Sequence, residues 1–143
     1  MAPSRRARVT AVVLAGALLT ACTNSQSSAS RRPHVGSATA SMVDGVQQVT
    51  VQATSTYRFI PSTITVHPGT VRVVVVNTGK PGSAAPHDWS LLGLPGTPVT
   101  TPLAPAGSTV SVTFTAPSAG TYTYVCTIHR KQGQTGKLVV LPN

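Results

Sequence analysis

The stretch Ser108 to Pro117 reads STVSVTFTAP, with Val110, Val112 and Phe114 on one side and serine or threonine on the other. Strict alternation of this kind marks a half-buried β-strand, because successive side chains on a strand point to opposite faces. The pattern recurs along the chain. VQQVTVQAT (Val46 to Thr54) alternates at Val49, Val51 and Ala53, and PSTITVHPG (Pro61 to Gly69) alternates at Ile64 and Val66 before a Pro-Gly turn. TVRVVVVN (Thr70 to Asn77) is nearly all apolar, which predicts a strand covered on both faces. GTYTYVC and GKLVV complete the set, and the run Gly93 to Gly107, GLPGTPVTTPLAPAG, reads as loop. No segment shows helical periodicity with caps. Seven or eight short strands within about 100 residues predict an all-β domain, an antiparallel Greek-key β-sandwich. A core of that size stands without disulfides.

Composition supports this and removes one function class. Charged residues make up 9% of the chain and aromatics 4%, a mix that favours turn-rich β-structure over a helical bundle. The formal charge of +9 is partly a property of the first residues. Without Arg5, Arg6 and Arg8 the chain carries eight Lys/Arg against Asp44 and Asp88, or +6. These charges are scattered and no aromatic stacking platform accompanies them, so nucleic-acid binding is not expected. A mildly basic surface that meets acidic partners or anionic lipid is the reading that remains.

The N-terminus, MAPSRRARVTAVVLAGALLTAC, has an arginine-rich start, an apolar run from Val9 and small residues before Cys22. These are the parts of a secretory signal, here residues 1–21, and the run is too short to span a bilayer. The tetrapeptide Leu19-Thr20-Ala21-Cys22 resembles the bacterial lipobox, after which the cysteine becomes the lipidated first residue. Two acyl chains hold a small protein on a membrane stably where one does not. The protein is therefore expected outside the cytoplasm, anchored to the bacterial cell membrane through Cys22. An ordinary cleaved signal with an incidental cysteine is the alternative. The Arg5-Arg6 pair hints at twin-arginine export, within an incomplete motif. Residues 22–45, polar and rich in Ser and Ala, read as a flexible tether containing His34 and Met42, and residues 46–143 as the folded domain. With Cys22 lipidated, Cys126 is the single free thiol in an oxidising compartment, a liability unless buried or bound.

Two segments collect metal-competent side chains. NTGKPGSAAPHDWSLLG holds His87 at the end of a Gly/Pro-rich loop, and YVCTIHRKQGQTG holds Cys126, His129 and Gln134. In a sandwich the loop after the VVVVN strand and the turn between the last two strands can meet at one end. One thiolate, two imidazoles and a weak fourth donor form the donor set of a blue-copper electron-transfer site. Taken singly, His87 reads as a loop histidine and Cys126 as an inert buried thiol. His67 in the VHPG turn reads as surface, and Trp89 and Tyr124 as core packing.

Over roughly Val46 to Asn143 the chain resembles the small cupredoxins of the plastocyanin/azurin kind, on YRFIPSTITVHPGTVRVVVVNTG, PHDW and GTYTYVCTIHRKQGQTGKLVV. The resemblance implies a type 1 copper site, one copper per chain, with His87, Cys126 and His129 as strong ligands. Gly133 and Gly136 match the glycines around the axial position, where Gln134 replaces the usual methionine, as in the stellacyanin-like members. An amide oxygen is a harder donor than a thioether, favours Cu(II) and lowers the potential. A Gln134 facing solvent, with copper three-coordinate, is the alternative. Asp88 stands where the family often has Asn and is expected to accept a hydrogen bond from Thr127, tying the two ligand loops. The implied activity is single-electron transfer between a redox-protein donor and acceptor, by a monomer. The later histidine, His129, is the family's usual surface port, here flanked by Arg130 and Lys131. Catalysis is not expected, since only His34 and His67 remain for a second copper site. Two rivals stay open: copper capture or delivery at the envelope, and a metal-free sandwich acting as a binding module. Zinc could also enter a Cys/His/His site, but copper outcompetes it on intrinsic affinity.

Overall fold

Every long alternating stretch of the sequence becomes a strand in the computed structural model, which describes residues 35–82 and 85–143. In chain order the strands are β1 (Ser37–Thr39), β2 (Ser41–Val43), β3 (Val46–Ala53), β4 (Phe59–Ile60), β5 (Thr63–Val66), β6 (Thr70–Asn77), β7 (Ser90–Leu91), β8 (Val99–Thr100), β9 (Thr109–Thr115), β10 (Gly120–Val125) and β11 (Thr135–Val140). The only helical turn among the described residues is the 3-10 turn Arg130–Gln132. One sheet runs β1-β5-β11-β10-β7-β8 and the other β2-β3-β6-β9, with β4 added to β3.

The sheets are mixed. β3 with β6, β5 with β11 and β1 with β5 are parallel, and the other pairings are antiparallel. Crossovers between the two layers bring strands of like direction side by side, whereas hairpins such as β10–β11 stay antiparallel. The inner faces meet in one apolar cluster. Val49, Val51, Val71, Val73 and Val75 come from one sheet, and Ile64, Val66, Tyr124, Leu138 and Val140 from the other.

Three expectations are corrected. β6 is not covered on both faces: Val71, Val73 and Val75 are fully buried, while Arg72, Val74 and Val76 are half-buried on the outer face. A two-layer sandwich buries one face of each sheet, and the outer valines are shielded only by neighbouring strands. The segment 22–45 is not tether to its end, because β1 pairs with β5 and β2 with β3, so ordered structure begins before Val46. β1 and β2 are three residues each and bury no side chain fully, with Met42 and Val43 exposed, so no alternation between faces marks them in the sequence. The Gly93–Gly107 run contains β8, and its Ala104 bridges to His87. The expected signal segment 1–21, Cys22 and His34 lie outside the described residues.

Candidate metal centre

His87 is delivered by a segment fastened on several sides. Asn77 closes β6 fully buried, donates from Nδ2 to the carbonyls of Ala85 (3.0 Å) and Ala104 (2.9 Å), and accepts at Oδ1 from the Gly79 N–H (2.9 Å). This last bond is the Asx turn that Asn-Thr-Gly favours. His87 and Ala104 exchange both backbone hydrogen bonds, at 3.0 and 2.7 Å. Trp89, its side chain completely buried, is held through its backbone N–H, which donates to the Thr101 hydroxyl at 3.0 Å. His87 is thus fixed from both sides of the chain, and its side chain is fully buried.

Cys126, His129 and Gln134 share the loop between β10 and β11. The Cys126 N–H donates to the Gln134 carbonyl (3.0 Å), closing the loop at its base, and the His129 N–H donates back to the Cys126 carbonyl (3.3 Å). The 3-10 turn ends at Gly133, whose φ of 83° is the left-handed conformation glycine adopts freely. Gly136 is required for a different reason. A Cβ there would collide with the Tyr124 ring, which is buried and anchored by its hydroxyl to the Pro61 carbonyl at 3.2 Å.

The donor atoms converge. Cys126 Sγ lies 3.4 Å from His129 Nδ1 and 3.9 Å from His87 Nδ1, and the two Nδ1 atoms are 3.1 Å apart. Atoms each about 2.0–2.3 Å from one ion stand roughly 3–4 Å from one another, so the three fit a single metal. Gln134 is fully buried, its Nε2 donates to the Arg58 carbonyl at 3.5 Å, and its Oε1 has no protein partner. The buried polar side-chain atoms without a partner among the described residues are His87 Nε2, Trp89 Nε1 and Gln134 Oε1, all on the two segments that form this site. A buried, unpaired acceptor costs about 1–3 kcal/mol, which a weak fourth contact to a metal would offset.

Burial sets the protonation of two of the donors. Burial lowers the basicity of His87, the neighbouring His129 lowers it further, and the Gln134 side chain and Asp88 oppose. Burial likewise pushes the Cys126 thiol up. His87 is therefore a neutral imidazole near pH 7, whereas Cys126 keeps its proton until a metal displaces it.

The expected tie between the two segments is present. Asp88 is buried and accepts from the Thr127 N–H at 2.6 Å and from the Thr127 hydroxyl at 2.5 Å, one donor on each carboxyl oxygen. His67 is exposed, and its backbone is held by Gln47. Trp89 and Tyr124 pack together in the core, with ring centroids 5.1 Å apart. Sequence reasoning missed four contributors: Asn77, Thr101, Tyr57 and the Arg58 carbonyl. Asn77 had a signal in the Asn-Thr-Gly that ends its strand. Tyr57 lies 4.6 Å from the His129 ring, centroid to centroid, and 6.4 Å from that of His87. Its φ of 58° is an outlier for a bulky residue and costs of order 1–3 kcal/mol.

Known proteins resemble this chain in sequence and fold. The model of the cupredoxin-like domain family matches residues 11–140. The solved structure of auracyanin A, a "blue" copper protein from Chloroflexus aurantiacus, is 30% identical, with a TM-score of 0.57 over 67% of this chain and 99% of that one. Auracyanin B is similar at 25% identity and a TM-score of 0.56, over 71% of this chain and 93% of that chain. Against the curated auracyanin-A sequence of Chloroflexus aurantiacus the match is 61% over 41 residues, 27% of this chain and only a quarter (25%) of that protein's length. The chain therefore belongs to the cupredoxin-like domain family.

Proposed function

We propose that this protein is a type 1 copper protein that carries single electrons, one copper per chain, tethered outside the cytoplasmic membrane by a lipid on Cys22. The observation that carries the reading is the convergence of Cys126 Sγ and two imidazole Nδ1 atoms, all within 4.8 Å of one another in a buried pocket. When bound, copper supplies one-electron chemistry between Cu(II) and Cu(I). The chain's own residues do the rest. His87, Cys126 and His129 would hold the ion, and Gln134, through its unpartnered Oε1, would supply a weak fourth donor. The Asp88–Thr127 bonds and the Asn77 and Ala104 contacts fix the two ligand segments to each other and to the sheet, so the donors are positioned alike for both oxidation states. Their burial excludes water.

His129 is the least buried of the three strong donors, at 8% beside the exposed Ile128, and is the proposed electron port. The buried Gln134 favours a carrier over a copper-delivery protein, whose axial position would be open. Among the described residues His87, Cys126 and His129 form the one cluster of three metal-ligating side chains. The reading is of one copper and of electron carriage. No described helix is long and apolar enough to cross a membrane, and the proposed anchor is the lipid.

The test is an optical and EPR titration of residues 23–143 with Cu(II). An intense thiolate-to-copper band in the visible is expected, absent in Cys126→Ser, with a shifted band and a higher potential in Gln134→Met. No band, together with a freely alkylated Cys126 in the presence of copper, sinks the carrier reading in favour of a metal-free binding module. For the anchor, Cys22→Ser should move the protein from the membrane fraction to the soluble one. A variant that stays in the membrane fraction rules the lipid out.

A further inference from the structure

We infer that the hairpin loop Thr54–Arg58 is a third element of the metal centre, with Tyr57 a positioning residue that holds the His129 imidazole. The Arg58 carbonyl in the same loop holds the Gln134 amide. The inference rests on the copper-centre reading and adds to it a part that neither ligand segment contains.

The loop is built to be rigid. Its base is the β3–β4 pairing, Ala53 opposite Phe59 and Gln52 opposite Ile60. Inside it the Thr54 N–H donates to the Arg58 carbonyl (3.0 Å), and the Tyr57 N–H donates to the Thr54 carbonyl (3.0 Å). The Thr54 hydroxyl braces the centre: it accepts from the Arg58 N–H (3.2 Å) and also lies 3.3 Å from the Arg58 carbonyl and 3.0 Å from the Thr56 hydroxyl.

Two outputs of this rigid loop reach the ligands. The Tyr57 ring lies over His129 at 4.6 Å with a 39° tilt and presents an edge to His87 at 6.4 Å and 73°. An aromatic face at that distance attracts the imidazole and blocks its rotation toward solvent. This matters most for His129, a buried donor in the turn 127–129, whose neighbours Ile128 and Arg130 are exposed. Through its carbonyl, Arg58 receives the Gln134 Nε2, so the opposite end of the amide, Oε1, is the end left without a protein partner.

The backbone supplies the independent observation. Tyr57 reaches His129 from a φ of 58°, and the only other non-glycine residue at positive φ among the described residues is Asp44, in a Val-Asp-Gly-Val turn where aspartate tolerates it. Glycine or asparagine would adopt the Tyr57 conformation without strain. The residue here is a bulky aromatic, and its ring lies against His129 and is T-shaped to His87. An unfavourable backbone conformation beside a site points to a constraint set by that site.

The test compares Tyr57→Phe, Tyr57→Leu and Tyr57→Gly in residues 23–143, each first shown by thermal unfolding to be folded without copper. Two readouts use the copper-free protein: the alkylation rate of Cys126 and the NMR exchange broadening of the His129 ring. Two use the copper-loaded protein: the position of the visible band and the rate of copper release to a chelator. Tyr57→Phe should match the wild type throughout. Tyr57→Leu and Tyr57→Gly should broaden the His129 signals, expose the thiol, shift the band and release copper about tenfold faster, the low end of what outer contacts to metal ligands contribute. Tyr57→Gly should unfold no earlier than Tyr57→Leu, since it also relieves the backbone. If Leu and Gly variants match the wild type in all four readouts, the clamp is wrong and the ring merely packs. A wild type without the visible band overturns the copper reading instead, and the two copper-free readouts then decide the clamp by themselves.

Discussion

Cys126 and His87 pull the stability of the copper-free protein in opposite directions along the pH axis. His87 has a depressed affinity for protons in the fold, so its contribution is present above the ordinary histidine range and is lost as pH falls through its folded value. Cys126 is raised by burial, as is Tyr124, so their contributions are present below their unfolded values and are lost as pH climbs through the folded ones. Without copper, the unfolding midpoint in denaturant should therefore peak near neutrality and fall toward pH 5 and above pH 9. A midpoint flat from pH 5 to 10 contradicts this. Single residues were legible in the sequence to the extent that their chemistry is scarce. With four histidines and one thiol beyond Cys22, the spacing around Cys126 left few candidates, and the structure brings those three donors together. Tyr57 was not legible, because its contact with His129 depends on a backbone conformation that no tyrosine advertises.

Strands were readable in proportion to how much apolar surface they bury. β3, β5, β6, β9, β10 and β11 announce themselves because each sends alternate side chains into or against the core. β1, β2 and β8 are two or three residues long and bury no side chain fully, and such strands leave no period to find. The mixed pairing was likewise invisible, since local pattern records burial and not the direction of a neighbour. The β10–β11 hairpin shows how an element serves the site. Gly136 pairs with Tyr124 across it and sits two residues past Gln134, so the tight approach of backbone to ring sets where the loop re-enters the sheet. Gly136→Ala has no room to relax, because the Tyr124 ring is enclosed by Trp89 and Phe59, with centroids 5.1 and 5.2 Å away. Overpacking of this kind costs about 1–3 kcal/mol or more. Chemical denaturation should show that loss, and the Cu(II) spectrum should shift with it. An alanine variant as stable as the wild type would mean that the ring can move.

At the scale of the whole molecule, charge is the least balanced property. The described residues carry Arg58, Arg72, Lys80, Arg130, Lys131 and Lys137 against Asp44 and Asp88, and Asp88 is buried at the metal centre. Arg130 and Lys131 are both exposed directly after His129, so the proposed electron port lies in a cationic rim. Electron transfer to an acidic partner should accordingly slow as ionic strength rises, because screening removes the attraction that steers the encounter. Stopped-flow rates over a salt series check this, and a flat dependence removes the steering argument. The same imbalance acts between identical copies. Self-exchange between oxidised and reduced protein must press two cationic rims together, so its rate should climb with salt. A crowded layer of these molecules would thus behave as a set of insulated wires, each discharging outward to its own acceptor, and not as a film that conducts sideways.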